Sequence, residues 1–160
     1  MKKAVVYYSM SGNTEYVAKK VSEKIGADLI KIEPEETYPD KGFKKYFWGG
    51  KSAIMGDKPK LKPYEFNSLD YDLIVFGTPI WASNITPPIR SFVDENINNI
   101  QDKRIAIFAC YSGGGAEKAI ERFKKELQIS EFEAKLILID PKDKESPENL
   151  KKIEQFCDDL

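Results

Sequence analysis

A three-layer α/β sandwich on a five-stranded parallel sheet is the fold the sequence predicts, and three observations predict it. Apolar runs of strand length recur without the polar alternation of a half-exposed strand. Segments with apolar residues at helical spacing separate these runs. Polar, glycine-bearing loops follow the first and fourth of these runs, where a tight turn must deliver the chain into a helix. Strands that alternate with helices pair in parallel through right-handed crossovers, which puts helices on both faces of the sheet.

The elements follow in order. Ala4-Val5-Val6-Tyr7-Tyr8 is β-branched or aromatic after its first residue, as a strand covered on both faces requires. Beyond the polar turn Ser9 to Asn13, Val17, Ala18, Val21 and Ile25 recur at helical spacing, and Gly26 supplies the stop. Leu29 to Ile32 forms a short second strand, and Tyr71 to Gly77 a third that is more apolar and central. Pro88 to Asn96 is a helix, Arg104 to Ala109 the fourth strand, Ala116 to Leu127 a helix, Leu136 to Ile139 the fifth strand and Pro147 to Asp159 the last helix. Between the second and third strands runs a long connection, Glu33 to Asp70, with Pro39, Gly42, Gly49-Gly50, Gly56, Pro59 and Pro63. Connections of that length are usually functional. With no internal repeat and no Ser/Gly-rich linker, residues 1–160 are expected to form one domain, large enough to bury about 70% of the surface its unfolded chain exposes.

Composition narrows the chemistry. The chain carries 25 Lys and Arg against 26 Asp and Glu, a formal net charge of -1, so no global field draws nucleic acid or an anionic membrane. It has no His, which removes Ser-His and Cys-His pairs and the HExxH zinc helix; hydrolysis through Ser9 or Cys110 would need a Lys base. Cys110 and Cys157 form neither a CxxC nor a paired zinc spacing, which argues against a metal or iron-sulfur site and for reduced thiols in the cytoplasm. After Met1-Lys2-Lys3 the apolar stretch Ala4 to Tyr8 is too short for a signal core, and no window reaches the roughly 18 to 20 apolar residues of a membrane helix. The expectation is a cytoplasmic protein with no metal, membrane or nucleic-acid partner.

In parallel α/β sheets ligands bind beyond the carboxyl ends of the strands, so the strand-end loops are the candidate site. The first is Ser9-Met10-Ser11-Gly12-Asn13-Thr14, hydroxyls and a glycine leading straight into a helix N-terminus. Such a turn solvates a phosphate dianion with hydroxyls, amides and the helix dipole; it also fits plain capping, with Ser11 or Asn13 as N-cap. It matches neither the Walker A nor the GxGxxG pattern and contains no Lys or Arg. The second loop is Thr78-Pro79-Ile80-Trp81-Ala82-Ser83-Asn84, the third Cys110-Tyr111-Ser112-Gly113-Gly114-Gly115. Trp81 and Tyr111 stand ready to stack a flat ring, and the glycines let backbone approach it; core packing and an ordinary turn are the alternatives. Cys110 fits a buried strand-end residue.

These loops resemble those of the flavodoxin-like family of FMN proteins, and the resemblance spans nearly the whole chain. Ser9 to Thr14 is similar to the family's phosphate loop, which implies Ser9, Ser11, Gly12, Asn13 and Thr14 as phosphate donors beside Met10. Thr78, Pro79, Ile80, Trp81 and Ala82 resemble its second loop, implying contacts to ribityl and isoalloxazine. Cys110, Tyr111, Ser112, Gly113 and Gly114 resemble the third, which covers the other side of the ring. The resemblance implies strand order 2-1-3-4-5 in the short-chain form, with FMN at the junction of strands one and three; flavodoxin is itself the standing example of that strand-switch rule. Phe47-Trp48-Gly49-Gly50-Lys51, Pro79-Ile80-Trp81 and Pro87-Pro88 together look most like the small flavodoxin-like proteins.

Two departures stand out. Many one-electron members place a glycine beside flavin N5, whereas Trp81-Ala82-Ser83-Asn84 has none, leaving Asn84 to take the positive φ. Flavodoxins proper are strongly acidic around the flavin, but Lys41 to Pro63 carries seven Lys against Asp57 alone. That stretch fits a solvated loop, a flap over the flavin, or a docking surface for an acidic protein or phosphorylated substrate. Phe43, Tyr46, Phe47 and Trp48 within it favour a short helix packed near the site.

The resemblance implies an FMN-binding electron-transfer protein that shuttles electrons between redox partners or to a small-molecule acceptor. The alternative is an FMN-dependent NAD(P)H:quinone-type oxidoreductase, with the basic stretch recognising the dinucleotide phosphates. A receiver domain of the same topology would need acidic residues after the first strand and an Asp ending the third; Tyr8-Ser9 and Gly77-Thr78 stand there instead. A phosphate held without Lys or Arg would keep negative charge near the cofactor and disfavour its reduced anion.

Overall fold

Strand β1 (Lys3–Tyr7) is buried from Ala4 onward, because apolar side chains on both of its faces meet helices. Ala4 and Val6 belong to one core; Val5 and Tyr7 belong to the other. The computed structural model describes residues 1–38, 51 and 53–160. After β1 come α1 (Asn13–Ile25), β2 (Asp28–Lys31), β3 (Leu73–Trp81), β4 (Asn84–Ile85), α2 (Pro87–Ile100), β5 (Arg104–Tyr111), α3 (Ala116–Glu126), β6 (Lys135–Ile139) and α4 (Pro147–Asp158).

The sheet order is β2-β1-β3-β5-β6, with all four of those pairings parallel. This is the 2-1-3-4-5 order expected of five strands. The addition is β4, two residues paired antiparallel with the end of β3, too short to stand out as an apolar run. One core places Phe76 and Ile107 of the sheet against Ile89 and Phe92 of α2 and Ile120 and Phe123 of α3. The other places Val75 and Phe108 against Val17 and Val21 of α1 and Ile153 and Phe156 of α4.

Several expected boundaries move. β3 continues past Gly77 to Trp81 and β5 past Ala109 to Tyr111, because the β3–β5 ladder runs on through Thr78↔Ala109 and Pro79↔Cys110. Pro79 stands in the last of those pairs, where a missing N–H costs the ladder least. α2 begins on Pro87-Pro88 at its first turn, where Pro is tolerated, and runs to Ile100 because Ile100 is fully buried in the core.

The long connection is tied down at both described ends. Pro34 bridges Leu61, Glu35 N–H donates to Lys60 O at 2.8 Å, and Lys62 N–H donates to Glu33 O at 2.8 Å. From α2, the buried Arg90 guanidinium reaches Ala53 O and the Glu126 carboxylate, each at 3.3 Å, and Ser91 Oγ donates to Pro59 O at 2.7 Å. The helix expected around Phe43, Tyr46, Phe47 and Trp48 lies outside the described residues. Among the described residues no helix is long and apolar enough to cross a membrane.

Candidate functional site

β1, β3 and β5 are parallel neighbours, so their carboxyl ends open at one edge of the sheet. The loops beyond them enclose a cavity of about 660 Å³, within the usual range for small-molecule sites. Of the residues expected at the site, Met10, Ser11, Asn13, Thr14, Pro79, Ile80, Trp81, Ala82, Cys110, Tyr111, Ser112, Gly113 and Gly114 line it. Ser9, Gly12 and Thr78 do not. Ser83, Gly115 and Asp140 line it as well.

The first loop enters α1 through Gly12 at φ 96°, and neither Ser11 nor Asn13 caps the helix. The capping reading is thereby corrected: Ser9 Oγ accepts the Gly12 N–H at 3.1 Å, inside the turn, and the first-turn amides of α1 are left without a side-chain acceptor. Asn13 turns away to the loop after β6. Its carbonyl oxygen accepts from Lys142 N at 2.8 Å and Asp143 N at 3.4 Å, and its amide donates to Asp143 Oδ2 at 2.9 Å. Thr14, fully buried, meets the Cys110 thiol across the cavity floor. Burial pushes that thiol up to about 12, the Thr14 contact opposing and the Asp140 charge adding to the shift.

The second loop is a hairpin turn rather than an open loop. Ile80 pairs with Ile85 and Trp81 with Asn84, leaving Ala82 and Ser83 as a two-residue turn at φ 49° and 59°. Positive φ at both central residues matches the strand twist. Asn84, expected to take positive φ, is instead a strand residue; the turn falls two residues earlier because β3 runs on to Trp81. Asn84 still serves the turn, donating from Nδ2 to Ala82 O at 2.8 Å, while Arg122 Nη1 donates to Ser83 O at 3.3 Å and Asn84 Oδ1 at 3.0 Å. Trp81 is met by Tyr8 and Tyr38, nearly perpendicular, at centroid distances of 5.8 and 5.2 Å. Thr78 sits at the base of the hairpin, where its hydroxyl accepts Thr86 N–H at 3.2 Å and donates to Pro79 O at 2.8 Å.

The third loop leans on the fourth. Ser112 Oγ donates to Asp140 Oδ1 at 2.5 Å, and Asp140 pairs with Lys144 at 3.0 Å. The serine hydroxyl, then the lysine, hold the Asp140 carboxyl below the usual aspartate range. Gly115 packs against the hairpin: a Cβ there would lie 2.1 Å from Ser83 Oγ.

The loop after β6 is the part sequence reasoning missed, although its signal was available. Asp140 directly follows the expected end of the fifth strand, and that strand opens at the same edge. Its position also corrects the expectation of a phosphate turn without Lys or Arg nearby. The turn itself has none, but Lys142 lies over Gly12, its Nζ 3.1 Å from where a Cβ would be.

Fold and site together define a flavodoxin-type architecture. The flavodoxin family model matches residues 2–152, and the chain belongs to that family. Among solved structures, it is similar to a flavoprotein from Lactobacillus acidophilus NCFM determined in complex with FMN, with a TM-score of 0.71 and 23% identity over 89% of this chain and 95% of that one. It is also similar to a Bacteroides eggerthii DSM 20697 protein assigned as a flavoprotein (TM-score 0.76, 22% identity, 98% and 96% of the two chains). Oxidised flavodoxin 1 from Bacillus cereus shares the fold at a TM-score of 0.60 and 18% identity, over 99% and 96% of the chains.

Proposed function

We propose that the cavity binds FMN and that the protein is a cytoplasmic electron carrier, passing electrons between redox partners or to a small-molecule acceptor. One observation carries the reading: a single cavity has a hydroxyl-bearing, uncapped helix N-terminus in one wall and aromatic side chains with a glycine run in the others. Those are the two ends of a flavin mononucleotide, a dianion and a flat ring. Family membership and the FMN named for the Lactobacillus acidophilus flavoprotein support it.

Bound FMN would supply the redox chemistry. The residues of the chain bind and orient. Ser11, Thr14 and the first amides of α1 hold the phosphate end; Ser9 shapes the turn by taking the Gly12 N–H. The Asn13 side chain fixes the turn against the loop after β6, leaving the residue's backbone amide among those first amides. Trp81 and Tyr111 would flank the ring, and Gly113 and Gly114 would let backbone approach it. The Ala82–Ser83 turn would form the wall at that end of the ring.

The test is an FMN titration followed by visible spectra during stepwise anaerobic reduction. A carrier shows a long-wavelength band that rises with the first electron and decays with the second. No binding of FMN overturns the cofactor reading. A direct bleach, with rapid reduction by NAD(P)H and reoxidation by quinones, replaces the carrier with the oxidoreductase.

A further inference from the structure

We propose that Lys142 supplies the counter-charge of the phosphate subsite and makes the cavity selective for a phosphorylated flavin over the same flavin without its phosphate. The proposal rests on the FMN reading above. The turn Ser9 to Thr14 offers hydroxyls and amides but no full positive charge, and a phosphate monoester is close to a dianion at neutral pH. Lys142 brings that charge from the other end of the chain. Its Nζ lies over Gly12, between Ser11 and Asn13 in sequence, both of which line the cavity. The lysine chain lies along the turn: a Cβ on Gly12 would stand 3.1 Å from its Nζ, 3.6 Å from its Cδ and 3.8 Å from its Cε.

Neighbouring carboxylates are engaged elsewhere. Asp143 takes the Asn13 amide, Asp140 pairs with Lys144 and takes the Ser112 hydroxyl, and Glu145 takes the Tyr16 hydroxyl. Among the described residues Lys142 has no carboxylate within ion-pair distance. Two backbone N–H bonds to the Asn13 side chain, from Lys142 and Asp143, hold the loop in register with the phosphate turn. An ammonium so placed attracts a dianion and leaves an uncharged ribityl hydroxyl almost untouched. Because Lys142 is exposed, the attraction is modest and weakened by salt.

The experiment compares dissociation constants of FMN and riboflavin, from flavin fluorescence quenching at low and high salt, for the wild type, Lys142→Met and Lys142→Arg. Lys142→Met is expected to weaken FMN by about three- to tenfold at low salt, as for a solvated charge-assisted contact. Riboflavin affinity is expected to stay put, the salt dependence of FMN binding to flatten, and Lys142→Arg to keep wild-type FMN affinity. Unchanged FMN affinity in Lys142→Met overturns the proposal while FMN binding by the wild type stands. Equal loss for both flavins overturns it too, since that marks a disturbed loop rather than a missing charge. A wild type that binds no FMN overturns the cofactor reading and this inference with it.

Discussion

Trp81 is held at its position by two edge-on rings, Tyr8 on one strand end and Tyr38 at the start of the long connection. A side chain so braced meets a flat ligand without first losing much rotamer freedom, which is how an aromatic wall gives affinity. Trp81→Ala is therefore expected to weaken FMN binding by about 1 to 3 kcal/mol, measured by fluorescence titration. Unchanged affinity would move the stacking role to Tyr111. A second single-residue constraint lies in the core below. Gly77 stands opposite Phe108 in the β3–β5 ladder, and a Cβ on it would sit 2.2 Å from the ring. The phenyl is fully buried and has no room to retreat, so Gly77→Ala should cost roughly 1 to 3 kcal/mol in chemical denaturation, with the midpoint falling and the slope unchanged.

At the scale of elements, the β3–β4 hairpin is where local preference and tertiary demand disagree. Ala82 and Ser83 both hold left-handed backbone, which costs of order 1 kcal/mol or more for residues with a Cβ. Bonds from Asn84 and Arg122 and the packing of Gly115 against Ser83 hold the turn in place. Gly115→Ala inserts a Cβ where Ser83 already is, at a φ of 82° that itself disfavours a side chain. It is expected to destabilise the fold by roughly 1 to 3 kcal/mol and to weaken FMN and riboflavin alike, because it moves the ring wall and not the phosphate turn. Thermal melts and paired flavin titrations check it; a loss confined to FMN would contradict the assignment of this turn to the ring end. The same hairpin shows what was legible beforehand. Runs such as Ala4 to Tyr8 and Leu136 to Ile139 announce strands because burial on both faces demands continuous apolar residues. Loops after strands one, three and four announce a site because parallel topology puts their ends together. A two-residue strand behind an Ala-Ser turn has no such signature, since neither residue is a usual choice for positive φ. Lys142 was hidden for a different reason: only the strand order brings residue 142 over residue 12.

Across the whole molecule, water is kept from several acidic hydrogens that would ionise freely in an unfolded chain. Burial raises the Cys110 thiol to about 12 and the Cys157 thiol to about 11. Burial first, then the Glu15 charge, raises the Tyr7 phenol to about 12. Each of these groups keeps its proton to higher pH in the folded state than in the unfolded one. Their contribution to stability is thus fully present below the ordinary thiol value of about 8.5 and is lost as pH rises toward 12. Depressed carboxylates act at the other end. Asp140 and Glu133, lowered chiefly by Ser112 and Arg104, contribute stability above the ordinary carboxylate range that disappears as pH falls through their folded values. The melting temperature of the FMN-free protein should accordingly be highest near neutrality and fall on the alkaline side from about pH 8.5 upward. Cys110→Ala removes one of the two thiols while Cys157 remains, so its alkaline decline should begin at the same pH but be shallower than that of the wild type, whatever the substitution does to stability at pH 7. Parallel decline of the two proteins from pH 8 to 11 would show that the Cys110 thiol ionises as readily folded as unfolded, and that the cavity floor admits water to it.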